Sequence, residues 1–293
     1  MKKLASTYTE WVAIVPGWYQ DRYDSTVIQS SVKTPTDESL ICAIRDAHEL
    51  GMKVMLKPHL DLSKDIGSAW RGDIDHATEG NWIDWFNSYC DFISHYAKMA
   101  EENNVELFCI GTELTNPAVL KPGLWKEIII KNVRRLYKGP ITYAANWNDE
   151  YADITFWDEL DYAGLDPYFP LSEKGSPTLE DLKEAWQEKL KDIESWQASI
   201  NKPVIFTEIG YRSSSDAAKF PWEHQPGREL DLKLQANCYR AIFETFWEKE
   251  WFYGVYWWYW GTNERMGGAN NRGFIIQNKP VENVIQEWYQ KPR

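Results

Sequence analysis

Leu107-Phe108-Cys109-Ile110-Gly111-Thr112-Glu113 is an apolar run that ends on a carboxylate. Residues that are apolar in succession, not at alternate positions, are expected of a strand covered on both faces, as in a parallel sheet flanked by helices. On its N-terminal side, Asn81–Glu102 carries Trp82, Trp85, Phe86, Tyr89 and Phe92 at helical spacing; on its C-terminal side, Pro122–Tyr137 reads as a second helix. A buried strand between two amphipathic helices is the repeating unit of an α/β fold.

The same alternation extends in both directions. Strands are expected at Trp11–Pro16, Lys53–Pro58, Glu106–Glu113, Ile141–Asn146, Tyr162–Asp166, Pro203–Ile209 and Gly254–Trp260. Helices are expected at Thr36–Leu50, with Thr36 as N-cap and Gly51 as the stop, and at Thr178–Ile200, which opens on a capping box from Thr178 to Asp181. Glu229–Lys249 and Val281–Tyr289 complete the set. No Gly-rich phosphate turn follows an early strand, which disfavours a dinucleotide-binding open sheet. The expected fold is therefore a (β/α)8 TIM-type barrel of one domain over 1–293, with seven strands readable and the N-terminal first strand and helix missing. If Trp11–Pro16 is the second strand, Glu113 ends the fourth and Glu208 the seventh. Exposed strand edges invite pairing, so a homodimer covering the open Trp11–Pro16 side is an expectation.

Acidic residues exceed basic ones by 44 − 32 = 12, a surface that repels nucleic acid and anionic membrane and suits a neutral ligand. The 17 Trp and 16 Tyr exceed what a core requires when Leu, Ile and Val can fill it. Flat aromatic faces pack against the C–H faces of sugar rings, so the composition points to carbohydrate, with the remaining rings in the core. Cys42, Cys90, Cys109 and Cys238 lack metal-site or redox spacing and read as buried free thiols. With no bilayer-length apolar stretch and no hydrophobic signal centre near Met1, the chain reads as cytoplasmic, or as secreted if a leader has been trimmed.

Two strands end on glutamate: Leu107–Glu113 and Val204–Glu208. A carboxylate there is costly unless partners or chemistry require it. Hydrolysis of a glycosidic bond needs one carboxyl that holds a proton and a second that stays ionised, and Glu113 and Glu208 fit those roles. The structural alternative is a buried ion pair with Arg71, Arg212 or Lys57. Other strand ends carry Trp18, His59, Asn146, Trp147, Asp166, Tyr168 and Trp260, and in a parallel barrel such ends share the face where active sites lie.

Several stretches together resemble glycoside hydrolase family 113, the β-1,4-mannanases of clan A, over nearly the whole chain. They are 11–20 (WVAIVPGWYQ), 54–61 (VMLKPHLD), 70–73 (WRGD), 110–114 (IGTEL), 163–168 (AGLDPY), 205–212 (IFTEIGYR) and 255–260 (VYWWYW). The resemblance implies a retaining, endo-acting hydrolase of mannan, glucomannan or manno-oligosaccharides, with Glu113 as acid/base, Glu208 as nucleophile and Trp260 as the platform under the sugar being cleaved. Many clan members place Asn before the acid/base to bind the sugar 2-hydroxyl; this chain has Thr112, which departs from that pattern.

Tyr168 is placed to hydrogen-bond the nucleophile, or to serve as a core tyrosine. Lys57, His59, Arg71, Asn146 and Asp166 are candidate hydroxyl binders around an apolar platform, with His59, Arg71 and Asn146 foremost. Trp18, Trp70, Trp147 and Trp258 are candidates to stack further sugars or to plug the barrel mouth. The Arg265–Arg272 segment reads as a mobile loop beside Trp260. His59, Asp61 and His76 lack metal-ligand spacing, so neither a metal nor another cofactor is expected. A β-glucanase or xylanase of the same clan is the alternative within hydrolases. A non-catalytic sugar-binding barrel would leave the two strand-end glutamates without a purpose.

Overall fold

The computed structural model describes residues 1–64, 67–148, 150–225 and 228–292. The chain divides into two compact units, one of Glu10–Asp166 and one of Met1–Thr9 with Pro167–Arg293.

In the Glu10–Asp166 unit, Trp11–Ile14 (β1), Lys53–Leu56 (β3), Leu107–Thr112 (β5), Ile141–Asn146 (β6) and Ala163–Asp166 (β7) pair in that order, every ladder parallel. β5 and β6 are buried along their whole length, as the uninterrupted apolar runs require. Gly17–Gln20 (β2) and His59–Leu62 (β4) form a second parallel pair that continues the direction of β1 and β3. Pro16 and Pro58 lack an N–H and interrupt the ladder there. Across the break the Lys57 amide donates to the Ile14 carbonyl (2.9 Å) and the His59 amide to that of Pro16 (2.8 Å).

Asp37–Glu49 is capped by Thr36, whose side chain accepts from the Ser39 amide, and Glu79–Glu102 is capped in the same way by Thr78 and Asn81. The aromatic stripe of that long helix is buried: Trp85, Phe86, Tyr89 and Phe92 are inaccessible, and Trp85 stacks on Tyr89 at 5.1 Å. The helix expected over Pro122–Tyr137 is in three pieces, Pro122–Leu124, a wide π-helical segment Trp125–Ile130, and Lys131–Leu136. Trp125, fully buried in the wide segment, packs on Phe86, Tyr89, Tyr143 and Phe156.

In the other unit, Val204–Ile209 (β8) and Phe252–Trp257 (β9) pair in parallel with two register shifts. β9 ends three residues before the expected limit at Trp260, so Trp258 and Trp260 lie beyond the strand. Leu179–Ile200 and Leu232–Phe246 cover these strands through Trp186, Phe206, Phe246 and Phe252. A short helix Lys2–Ala5, not expected from the sequence, belongs to this unit, and Pro280–Tyr289 forms its last helix.

The Thr178 capping box forms as expected. The Thr178 hydroxyl accepts from the Asp181 amide at 3.2 Å, and Asp181 accepts from the Thr178 amide at 2.9 Å. We expect Thr178→Ala to lower unfolding stability by about 1 kcal/mol, read from the urea midpoint. An unchanged midpoint would show that the helix start is held by other contacts.

Candidate active site

β5 bulges against β6 between Cys109 and Thr112, and the chain leaves the strand through Glu113 at φ 51°. A left-handed backbone is uncommon for a residue other than glycine and disfavoured by the Cβ, so surrounding contacts must hold it. The Glu113 amide donates to the Ala144 carbonyl at 2.8 Å, which ties the turn to β6. Its Oε1 accepts from Asn146 Nδ2 at 2.8 Å, and Oε2 lies 3.5 Å from Arg71 Nη1. The Asn146 amide is fixed at both ends, because its Oδ1 accepts from the Asn148 amide at 2.8 Å. Thr112, by contrast, is buried, with its hydroxyl 3.9 Å from Cys109 Sγ. The amide beside Glu113 therefore comes from the neighbouring strand, not from the preceding residue.

Arg71 sits in the single turn Arg71–Asp73 after Trp70, and its guanidinium donates to Asp61 Oδ1 at 2.8 and 3.1 Å. Part of the expected ion-pair alternative is thus realised at Glu113, although Arg71 is shared between two carboxylates. Trp70 is about two-fifths exposed, and its ring lies over Gly72, where a Cβ would come within 2.4 Å of it. Lys57 and Asp166 are fully buried and bond to each other at 3.1 Å. His59 is buried, and burial, then Arg71 and then Lys57 hold its pKa well below the ordinary histidine value. The ring is neutral, which suits one donor and one acceptor toward a hydroxyl. Trp18 packs on the long helix, its ring 5.4 Å from Phe92 and 5.7 Å from His95. Trp147 is partly exposed in the turn after β6.

The sequence reasoning missed Glu150. It lies in the Glu150–Asp153 turn, is 1% exposed, and accepts from Tyr143 Oη on Oε1 (2.5 Å) and from the Asn146 amide on Oε2 (2.6 Å). Burial, with the negative charge of Glu113 adding to it, raises its pKa to about 8 despite donors from Tyr143, Asn146 and Thr115. Tyr143 is pressed against β5 at Gly111, where a Cβ would meet its ring at 2.7 Å and Trp125 at 2.8 Å. The polar run 147–150 (WNDE) reads as a loop, and nothing in its spacing signals a buried carboxyl.

In the other unit, Glu208 stands near the end of β8, half-buried, and its Oε1 accepts from Tyr168 Oη at 2.8 Å. Tyr168 is 6% exposed, so this hydrogen bond forms largely out of water. Arg212 is buried and bonded to the Gln225 and Phe220 carbonyls and to Asp216, which lies 3.4 Å away. The Trp258 amide donates to the Ile209 carbonyl at 2.7 Å, one residue past Glu208. Gly210 permits that approach, because a Cβ there would lie 2.0 Å from the Trp258 carbonyl oxygen. Trp258 and Trp260 are both partly exposed. Within the 265–272 segment the Gly268 amide donates to the Gln277 carbonyl and the Met266 carbonyl accepts from the Asn278 side chain, which also donates to the Glu264 carbonyl just before the segment.

Among the described residues, no group of three or more His, Cys, Asp and Glu side chains is placed to hold a metal ion. No helix among them is long and apolar enough to cross a membrane.

Residues 1–279 match the profile of Glycoside Hydrolase Family 113. A solved GH113 β-1,4-mannanase in complex form is 29% identical, with a TM-score of 0.86 over 99% of this chain and 91% of that one. The GH113 β-mannanase AaManA from Alicyclobacillus acidocaldarius, in complex with ManMIm, is 26% identical, with a TM-score of 0.86 over 98% and 89%. At 14% identity, a β-glucuronidase from Ruminococcus gnavus has a TM-score of 0.65 over 99% of this chain and 45% of its own, a likeness of fold alone. No curated protein matches the chain. The fold class is the TIM-type α/β barrel of the family 113 enzymes.

The protonation of Glu150 has a thermodynamic signature. An unfolded glutamate titrates near 4.5 and the folded one at about 8, so the neutral form stabilises the fold fully below pH 4.5. That contribution is lost as pH rises to about 8. The titratable groups facing it are Tyr143 and Glu113, with Arg71 beyond Glu113. Because Glu150→Gln cannot ionise, its melting temperature relative to wild type should rise between pH 5 and 8 and then level off. A pH-independent difference would contradict a raised pKa.

Proposed function

Because the chain belongs to glycoside hydrolase family 113, we propose that it is a retaining, endo-acting hydrolase of β-1,4-mannosidic bonds in mannan, glucomannan or manno-oligosaccharides. The family match over 1–279 carries this reading, and the surroundings of the two strand-end glutamates support it. In the first step Glu113 gives its proton to the glycosidic oxygen while ionised Glu208 attacks the anomeric carbon, and the C–O bond to the leaving sugar breaks. Glu113, now a carboxylate, takes a proton from water. The water oxygen displaces Glu208 from the same carbon, and two inversions give net retention.

The neighbours suit those roles. Asn146 and Arg71 favour the carboxylate form of Glu113 that follows proton donation. The Tyr168 hydroxyl holds one oxygen of Glu208 by its hydrogen bond and so fixes the orientation of the attacking carboxylate. Neutral His59, with Arg71 and Asn146, supplies donors and an acceptor for sugar hydroxyls, with the Lys57–Asp166 pair behind them as a fixed polar support. Trp260 is the platform under the sugar being cleaved, and Trp70, Trp147 and Trp258 are candidates to stack further sugars. A second copy covering the outer edge of β1 completes the reading as a homodimer; a single monomeric species in sedimentation at micromolar concentrations would remove that part.

Reducing-sugar release from linear mannan, glucomannan, xylan and cellulose tests the substrate, with Glu113→Gln and Glu208→Gln as controls. We expect mannan-selective activity that falls by about a thousandfold or more in each variant, and a loss of about 10–100-fold in kcat/KM for Tyr168→Phe. Equal activity on xylan, or an active Glu208→Gln, would overturn the assignment.

A further inference from the structure

Five residues of the Glu10–Asp166 unit close a ring of hydrogen bonds around the Glu113 turn. The Leu114 amide, next in the chain, donates to Tyr143 Oη at 2.9 Å. Having accepted that bond, the phenol directs its own proton to Glu150 Oε1. The other oxygen of Glu150 accepts from the Asn146 amide, and the Asn146 side chain donates to Glu113 Oε1. Glu150 thus reaches the same carboxylate by two routes, through the backbone beyond it and through the side chain that touches it.

We propose that Glu150 is the positioning residue of the acid/base. It holds the left-handed turn that aims Glu113 and the amide that meets its carboxylate, without touching substrate. This rests on Glu113 being the acid/base. Glu150 is well matched to the task because the Tyr143 O–H and the Asn146 N–H both point at it and both need acceptors. Both oxygens of the carboxyl keep a lone pair whether or not it is protonated, whereas the amide nitrogen of glutamine cannot accept, so one of those two hydrogens would face another donor in Glu150→Gln. Gly111 is part of the same arrangement, since only a residue without Cβ lets the Tyr143 ring lie against β5.

A group that merely supports folding would slow every substrate alike. One that aims a proton matters only where the leaving group needs that proton. The test compares kcat/KM for a manno-oligosaccharide, whose leaving alkoxide requires protonation, with that for a dinitrophenyl β-mannoside, whose phenolate leaves without it. kcat/KM reports glycosylation on both substrates, apart from the later hydrolysis step. For Glu150→Gln we expect a loss of about 10–100-fold on the oligosaccharide and less than about threefold on the aryl substrate. Tyr143→Phe, which keeps the ring and removes the hydroxyl, should show the same split more weakly, and decides the matter if Glu150→Gln fails to fold. Equal losses on both substrates, or none on either, would overturn the proposal. Glu113→Gln is measured in parallel: a split there but not in Glu150→Gln or Tyr143→Phe removes the positioning role alone. No split in Glu113→Gln removes the acid/base reading and the positioning role with it.

Discussion

A carboxylate at the end of a buried strand, carried on a backbone turn that its own Cβ disfavours, is the constraint around which the Glu10–Asp166 unit is organised. Glu113 at φ 51° is stable only because both its chain and its side chain are held. The bulge in β5, the glycine at 111, the phenol at 143, the amide at 146 and the carboxyl at 150 are successive answers to that one requirement. Even the wide π-helical segment contributes, since it carries Trp125, which packs on the Tyr143 ring. On the proposed reading of Glu113 as acid/base, a group that offers and retrieves a proton in one direction gains from such over-determination, because misplacement by an ångström weakens the transition state steeply.

The electrostatic settings of the two carboxylates differ in kind. Glu113 meets a shared guanidinium and an amide, and it has a second carboxyl nearby that burial keeps protonated at neutral pH. With Glu150 neutral, no full negative charge sits on that second carboxyl. Glu208 accepts from a phenol that is itself sheltered from water. The buried Lys57–Asp166 pair and neutral His59 extend the polar setting on the Glu113 side without adding net charge, as a site for uncharged sugars requires.

The strands were legible because burial on both faces leaves an unbroken apolar run, and the helices because Thr36 and Thr178 cap two of them and aromatic residues recur at helical spacing in a third. β2 and β4 were not, since Pro16 and Pro58 end each run before the chain resumes its ladder. The end of β9 was placed too late because Trp258 and Trp260 are as β-prone as the residues before them, and composition does not reveal where pairing stops. At the site, the strand-end positions of Glu113 and Glu208 were readable, and the Tyr168–Glu208 hydrogen bond is the one of two open readings of Tyr168 that forms. Trp18 was not readable as a residue packed on Phe92 and His95, because a strand-end tryptophan can face either way. Glu150 was hidden for a different reason. Its burial follows from tertiary contacts among residues spread over 111–150, and a single polar residue in a polar run carries no periodic signal.

Mechanism-based labelling is the most direct test of the double-displacement assignment. A fluorinated β-mannosyl fluoride that forms the glycosyl-enzyme but hydrolyses slowly should add one sugar to the protein, located by peptide mass spectrometry on Glu208 within Val204–Ile209. Label on another residue, or full turnover of native substrate with no covalent species and inversion at the anomeric carbon, would contradict it.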